Sequence, residues 1–305
     1  MSRVDEALRR AAETAAVSRD VPDTPYLDLD EPAEPSVRAD ETSILERYVV
    51  EKPARLSVTA QPRPAHVAAP PRTASPGRSV KLHPALDGKL VIDQNVSPAA
   101  VEQYRRLATV LHDHRMQTGL KTLMVSSSLP EEGKTLTIVN LALTLCNSFR
   151  ERVLLIDADL RLPSIHAVFG IPNQTGLADS TRAGAGAIPL VEVSPGLSVL
   201  TAGRPEASPL APLASHRARE IVRDAAAHFD WVLLDTPPVG LLPDARLVAS
   251  LSEGILFVIA AGTTPYTLVK RCIAELGAER IVGVVLNRVE RQALDTNGYD
   301  GSYYK

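Results

Sequence analysis

Short, unbroken apolar runs recur along the last two thirds of the chain, each closed by turn residues and followed by a helical pattern. Thr122-Leu-Met-Val, Val153-Leu-Leu-Ile, Gly196-Leu-Ser-Val-Leu-Thr-Ala-Gly, Trp231-Val-Leu-Leu, Gly254-Ile-Leu-Phe-Val-Ile-Ala and Ile281-Val-Gly-Val-Val-Leu read as strands. Helices are expected at 133–148, 214–229, 242–251 and 265–276. The first is apolar nearly all round, as a helix packed on a sheet can be. Apolar strands alternating with helices predict an α/β fold with a doubly wound, mostly parallel sheet. Such a sheet places its site at the carboxyl ends of the strands.

Upstream the pattern weakens. Lys89-Leu-Val-Ile-Asp reads as an edge strand, and Ser97-Pro98 supplies an N-cap and a proline at the first helical position. The helix from 98 to 116 carries Val101, Tyr104, Leu107, Ala108 and Leu111 on its apolar face, with Glu102, Arg105 and Arg106 elsewhere. His112 and His114 are two positions apart and share no helical face, so no metal site is expected there. Ten of the 24 prolines fall before residue 80, which predicts a disordered linker rather than a packed core. The chain thus divides into a short amphipathic helix (1–17), a Pro/Ala-rich linker (18–84), an α/β domain (85–289) and a flexible tail (290–305).

Charge and composition narrow the field. The net charge of −3 gives no bulk attraction to nucleic acid. The linker's charge is sorted: residues 20–41 are acidic, whereas 52–81 hold only the cations Lys52, Arg55, Arg63, Arg72, Arg78 and Lys81. That basic stretch is either a solvated spacer or a loose contact with an anionic membrane surface or acidic partner. No run is long and apolar enough to span a membrane, and the N-terminus lacks a secretion signal, so a cytoplasmic protein is expected. Cys146 and Cys272 sit inside apolar helical patterns and are expected to be reduced core thiols.

The chemistry gathers at three strand ends. After the strand at Thr122, residues Ser128-Leu129-Pro130-Glu131-Glu132-Gly133-Lys134-Thr135 end in the Gly-Lys-Thr of a phosphate-binding loop, with Ser128 where the pattern has its first glycine. Amides and the dipole at a helix N-terminus favour an anion there. Lys134 is expected to reach the β/γ-phosphates and Thr135 to ligate Mg²⁺. Asp157 and Asp235 close two further buried strands, with Asp159 and Arg161 just beyond the first. Carboxylates beside such a loop point to a Mg·ATP site of P-loop NTPase type. Asn287, at the last strand's end, either reads adenine or is an ordinary turn residue.

The triple Pro130-Glu-Glu-Gly-Lys-Thr135, Leu154-Leu-Ile-Asp-Ala-Asp-Leu-Arg-Leu-Pro163 and Val232-Leu-Leu-Asp-Thr-Pro-Pro238 resembles that of the bacterial tyrosine kinases of capsule and exopolysaccharide synthesis. The opening Met-Ser-Arg-Val-Asp-Glu-Ala-Leu and the lead-in from Leu90 are similar to the exosortase-associated branch of that family. The resemblance implies ATP and Mg²⁺ as cofactors, with Asp157 or Asp159 helping to deprotonate the attacking tyrosine and Asp235 coordinating the metal through water. It implies that Tyr299, Tyr303 and Tyr304 are autophosphorylated by a neighbouring subunit. It also implies a homo-oligomer built on the helix bearing Glu102 and Arg105, and a separate membrane-embedded polysaccharide co-polymerase that recruits the kinase to the inner face of the membrane.

The family's helix motif, Glu-x-x-Arg-x-x-Arg, reads Glu102, Arg105, Ala108 here, and its Asn-Pro-x-Glu-Leu-Leu segment is only echoed by Ser208-Pro-Leu-Ala-Pro-Leu213. Two other readings compete. One is a septum-positioning or partition ATPase, whose second lysine would fall at Leu129-Pro130-Glu131. The other is a nucleotide-sensing partner of the co-polymerase without kinase activity.

Overall fold

The computed structural model describes residues 86–182, 187–206, 208–240 and 243–289. The expected N-terminal helix, the linker and the tail with Tyr299, Tyr303 and Tyr304 lie outside the described residues.

Helix α1 (Pro98–Thr118) leads into β1 (Thr122–Ser127), α2 (Lys134–Phe149) and β2 (Val153–Asp157). Two single turns, α3 (Ile165–Val168) and α4 (Leu177–Ser180), precede the hairpin β3 (Val191–Ser194) and β4 (Leu197–Leu200). Then follow α5 (Leu210–Ala214), α6 (His216–His228), β5 (Trp231–Asp235), α7 (Asp244–Ala249), β6 (Gly254–Ala260), α8 (Tyr266–Leu276) and β7 (Ile281–Asn287). The seven strands form one sheet in the order β3-β4-β2-β5-β1-β6-β7. Every pairing is parallel except that of β3 with β4.

Period-2 alternation divides the strands between two cores. Leu123, Val125, Leu155, Trp231 and Leu233 pack with α1 and α2 on one face. Met124, Leu154, Ile156, Val232 and Leu234 pack with α6, α7 and α8 on the other. Both faces are covered, which is why the central strands are continuous apolar runs. Both thiols, Cys146 and Cys272, are buried and unpaired.

Three expectations change. Lys89–Asp93 is a series of turns, not an edge strand. Its backbone is satisfied by one side chain: Asn140 of α2 accepts from the Val91 amide (2.8 Å) and donates to the Lys89 carbonyl (3.0 Å). Leu90 between them is fully buried and plugs the α1–α2 core. The strand expected over 196–203 pairs only through Leu200. Beyond it the Thr201 and Ala202 carbonyls turn to accept from the Leu177 and Ala178 amides (2.7 and 3.0 Å). The antiparallel strand β3 was not expected, because its half-exposed Val191-Glu-Val-Ser lacks a clean apolar run.

Candidate nucleotide site

The loop between β1 and α2 is braced from behind. Glu132 is almost fully buried, and its carboxylate accepts from the Leu129 amide (2.7 Å), the Ala260 amide (3.3 Å) and the Thr264 hydroxyl. A loop residue expected to face the ligand thus turns its side chain into the protein and ties the loop to the end of β6. Asn287, at the end of β7, donates from Nδ2 to the Glu132 carbonyl (2.9 Å). Its amide is committed to the loop. That contact and the backbone explain Gly133: its φ is +95°, and a Cβ there would lie 2.0 Å from Asn287 Nδ2. Glu131 also takes a positive φ (62°), and its carbonyl accepts from Arg288. Ser128 is fully buried and its hydroxyl has no hydrogen-bond partner, while Pro130 is exposed. Helix α2 starts at Lys134, so its N-terminus sits at the end of this braced loop.

Two buried carboxylates, Asp159 and Asp235, meet Lys134, and a third, Asp157, adds to the field on it. β5 lies between β2 and β1, with Asp157 in register with Asp235 and Asp235 with Val125. Strand order alone therefore brings Asp157, Asp235 and the loop together. The carboxylates are used differently. Asp157 Oδ1 accepts from the Asp159 amide (3.3 Å) and Oδ2 from the Ser164 and Ile165 amides (both 3.0 Å). It is an anchor for the segment 158–165. Asp159 Oδ1 accepts from the Leu162 amide (3.0 Å), which leaves Oδ2 3.6 Å from Lys134 Nζ. Asp235 Oδ2 accepts from the Thr135 hydroxyl (2.6 Å). Its Oδ1 is buried without a hydrogen-bond partner, 4.0 Å from Lys134 Nζ.

The electrostatics follow from burial and crowding. Burial would lower the Lys134 ammonium, but Asp235, Asp159 and Asp157 outweigh it and hold it above its ordinary value. Burial, reinforced by the Asp235 carboxylate, pushes Asp157 up to about 8, against the pull of the Ile165 and Ser164 amides. Asp235 is likewise raised by burial, while Lys134 and the Thr135 hydroxyl oppose that rise. One ammonium does not neutralise this cluster.

These residues fit Mg²⁺ and a nucleotide. Asp235 Oδ1 is a buried oxygen lacking a partner, and the Thr135 hydroxyl, donating to Asp235, accepts only long bonds from Ser164 Oγ (3.3 Å) and Lys134 Nζ (3.5 Å), which a metal could replace. Hard oxygen donors of this kind suit Mg²⁺, which takes one or two protein ligands and completes its shell with phosphate and water. In keeping with that economy, no cage of three or more His, Cys, Asp or Glu side chains is found among the described residues.

Two further features were not legible in the motifs. Arg161 forms a two-point pair with the buried Asp244 of α7 (Nε–Oδ2 2.6 Å, Nη2–Oδ1 3.3 Å), clasping the Asp159 segment across the end of β5. On α1, Glu102 pairs within its own helix with Arg105 and Arg106 (both 3.8 Å). Ala108, where the family motif has its second arginine, is fully buried in the α1–α2 core. Among the described residues no helix is long and apolar enough to cross a membrane.

Comparison with known proteins gives a consistent outcome. No family model matches. The chain is 31% identical over 205 residues to the tyrosine-protein kinase YwqD of Bacillus subtilis, covering 66% of this chain and 86% of that one. It is 32% identical over 217 residues to the tyrosine-protein kinase etk of Escherichia coli K12, covering 69% of this chain but 29% of that longer one. Among solved structures, the kinase domain of Escherichia coli ETK superposes with a TM-score of 0.58 at 31% identity, over 63% of this chain and 78% of that one.

Proposed function

The chain belongs to the bacterial tyrosine-protein kinase family, and from that premise we propose how its residues carry out phosphoryl transfer and to what end. It is a protein-tyrosine kinase. The observation that carries the site assignment is the single Lys134 among three carboxylates, one of which keeps a buried oxygen unpartnered. Residues 128–135 wrap the phosphates of ATP. Lys134 moves from its carboxylates onto the β/γ-phosphates, where its held proton and charge offset the negative charge that builds in transfer. Thr135 and Asp235 would hold Mg²⁺, which would supply positive charge to offset that of the phosphates. Asp157 fixes the 158–165 segment, and Asp159, released from Lys134, accepts the proton of the attacking phenol. Tyrosine ordinarily titrates near 10, so a carboxylate in contact with it is the chemistry needed. The tyrosine oxygen bonds to the γ-phosphorus as the bond to the ADP oxygen breaks.

The acceptors are Tyr299, Tyr303 and Tyr304 of a neighbouring copy in a homo-oligomer that uses the α1 face bearing Glu102 and Arg105. Cycles of their modification regulate exopolysaccharide or capsule synthesis or export. A separate membrane-embedded co-polymerase recruits the kinase to the inner face of the membrane, a reading that the cationic stretch 52–81 supports.

The test is incubation of purified protein with Mg·ATP, alone and with host membranes, followed by peptide mapping. Phosphate on the tail tyrosines is expected, falling at least about a hundredfold in Lys134→Met. Hydrolysis without phosphotyrosine would instead mark a sensing ATPase, and binding without turnover a pseudokinase.

A further inference from the structure

The carboxyl end of the sheet is short of positive charge, yet a cation two residues along the chain from Asp159 is spent on a different acid. Arg161 spans both oxygens of Asp244, Nε to Oδ2 at 2.6 Å and Nη2 to Oδ1 at 3.3 Å. Asp244 belongs to another element, the start of α7, and its side chain is 1% exposed against 33% for the arginine. Lys134 meanwhile serves both Asp159 (3.6 Å) and Asp235 (4.0 Å).

Charge balance alone argues for a different pairing. The hydrogen bonds from Asp244 hold the Arg161 guanidinium above its ordinary value, and the Asp159 charge adds to that effect, so Arg161 already feels Asp159. A guanidinium turned onto Asp159 would neutralise part of the cluster, but at the expense of the chemistry. Asp159 Oδ1 is taken by the Leu162 amide (3.0 Å), which leaves Oδ2, the oxygen that faces Lys134. Lys134 vacates it on moving to the phosphates. A guanidinium in its place would keep Oδ2 in a charge-assisted pair, where it accepts no phenol proton.

Asp244 removes that option. Both of its oxygens grip one planar fork, which fixes the guanidinium in position and in direction. Burial makes the grip firm, because a buried carboxylate stripped of its cation is costly.

We propose that Asp244 is a positioning residue for phosphoryl transfer: it diverts Arg161 from Asp159 and so keeps Asp159 Oδ2 open to the acceptor phenol once Lys134 has left. The inference rests on the kinase reading above, and it adds a residue that lies outside the three sequence motifs.

Rates and structure of the full chain test it separately. Asp244→Asn keeps the shape and removes the charge, whereas Arg161→Gln/Asp244→Asn also removes the diverted cation. Autophosphorylation at saturating Mg·ATP is expected to slow at least about tenfold in the single variant, part of the contribution of a general base. In the double variant it is expected to return to within about threefold of the unsubstituted rate, because no guanidinium is left to occupy Asp159. Mg·ADP affinity by calorimetry should stay within about twofold in both, so that the loss falls on kcat and not on binding. A double variant as slow as the single one marks a merely structural clasp and overturns the proposal, as does a single variant at the unsubstituted rate. If Asp244→Asn does not fold, Arg161→Lys serves, since it keeps both charges but cannot span both oxygens. A loss of about threefold at unchanged Mg·ADP affinity is then expected, and an unchanged rate overturns the proposal.

A crystal structure of nucleotide-free Asp244→Asn reads the same point without activity. A guanidinium within about 3 Å of Asp159 Oδ2 supports the diversion, and one still bonded at position 244 overturns it. If the unsubstituted protein makes no phosphotyrosine while the guanidinium moves to Asp159 in the variant, the kinase reading fails and the diversion stands.

Discussion

Strands β2 and β5 each carry a buried or half-buried acid at both ends, and the two ends are treated in opposite ways. At the amino end Glu151 and Asp230 precede the strands. Glu151 Oε1 meets Arg115 Nη1 (2.7 Å) and His112 Nδ1 (2.9 Å), and Oε2 accepts from the Trp231 indole (2.7 Å). Asp230 Oδ2 accepts from the Arg152 amide (2.8 Å) and guanidinium (Nε, 3.3 Å), with Arg115 Nη2 3.8 Å from Oδ1. Two carboxylates face two guanidiniums, and every oxygen has a partner. At the carboxyl end Asp157, Asp159 and Asp235 face one ammonium, and one oxygen has none. A folded chain keeps an unbalanced buried cluster only where something else completes it. Complete satisfaction marks the end that holds the protein together. Its deficit marks the end proposed to bind nucleotide.

The contrast is sharpest in a pair of substitutions. Glu151→Ala strands Arg115 and the Trp231 N–H in a dry environment and is expected to cost about 3–5 kcal/mol in urea unfolding. Asp235→Asn should cost the nucleotide-free protein nothing, or stabilise it, because a repelling charge leaves the cluster, while phosphoryl transfer is lost. If Asp235→Asn destabilises as much as Glu151→Ala, the two ends do not differ in kind.

The two ends should also answer pH with opposite signs. Asp157, raised from 3.8 to about 8, keeps its proton in the folded state where the unfolded chain has released it. Its contribution is full below about pH 4 and is lost as pH rises toward 8, with a slope of up to about 1.4 kcal/mol per pH unit. Asp230 behaves inversely. Burial pushes its carboxyl up, but the Arg152 amide and guanidinium outweigh that and hold it below the usual range. Its contribution is present above the unfolded value near 4 and is lost only as pH falls further. Denaturation midpoints of nucleotide-free protein between pH 6 and 8 should therefore decline, and Asp235→Asn should flatten that decline. A flat profile in the unsubstituted protein would remove the case for repulsion at the site.

Smaller effects refine the picture. Glu132→Ala frees the back of the loop, and about tenfold weaker nucleotide binding by calorimetry is expected for the lost charge-assisted bonds. Arg152, 62% exposed, should matter least: Arg152→Ala is expected to shift stability by no more than about 1 kcal/mol. A larger loss would show that the amino end depends on its rim as well as its buried members.

Much of this was legible before any coordinates. Apolar runs gave the central strands, and acids that end such runs, Asp157 and Asp235, had to lie at one sheet edge beside Gly133-Lys134-Thr135. What sequence withheld was direction and partnership. Nothing local says that Glu132 turns inward, since its partners Ala260 and Thr264 lie far along the chain. Asn287 could be placed at a strand end but not matched to the Glu132 carbonyl. Arg161 was visible as part of a motif, whereas Asp244, its counter-ion, sat in an unremarkable helix start. Lys89–Asp93 misled because an apolar run docked on one asparagine resembles a strand docked on a sheet.

That asparagine also sets where the domain begins. Asn140 holds the Lys89–Val91 backbone, and Leu90 completes a core made by helices well downstream. A protein trimmed to start at Ser97, just ahead of the first helix, would lose the Leu90 plug and leave the buried Asn140 amide without these partners. The two losses together come to several kcal/mol, on the order of 2 kcal/mol for each. The smallest portable kinase unit therefore starts before its sheet, at the turn around Leu86, and any fusion joint belongs upstream of that turn.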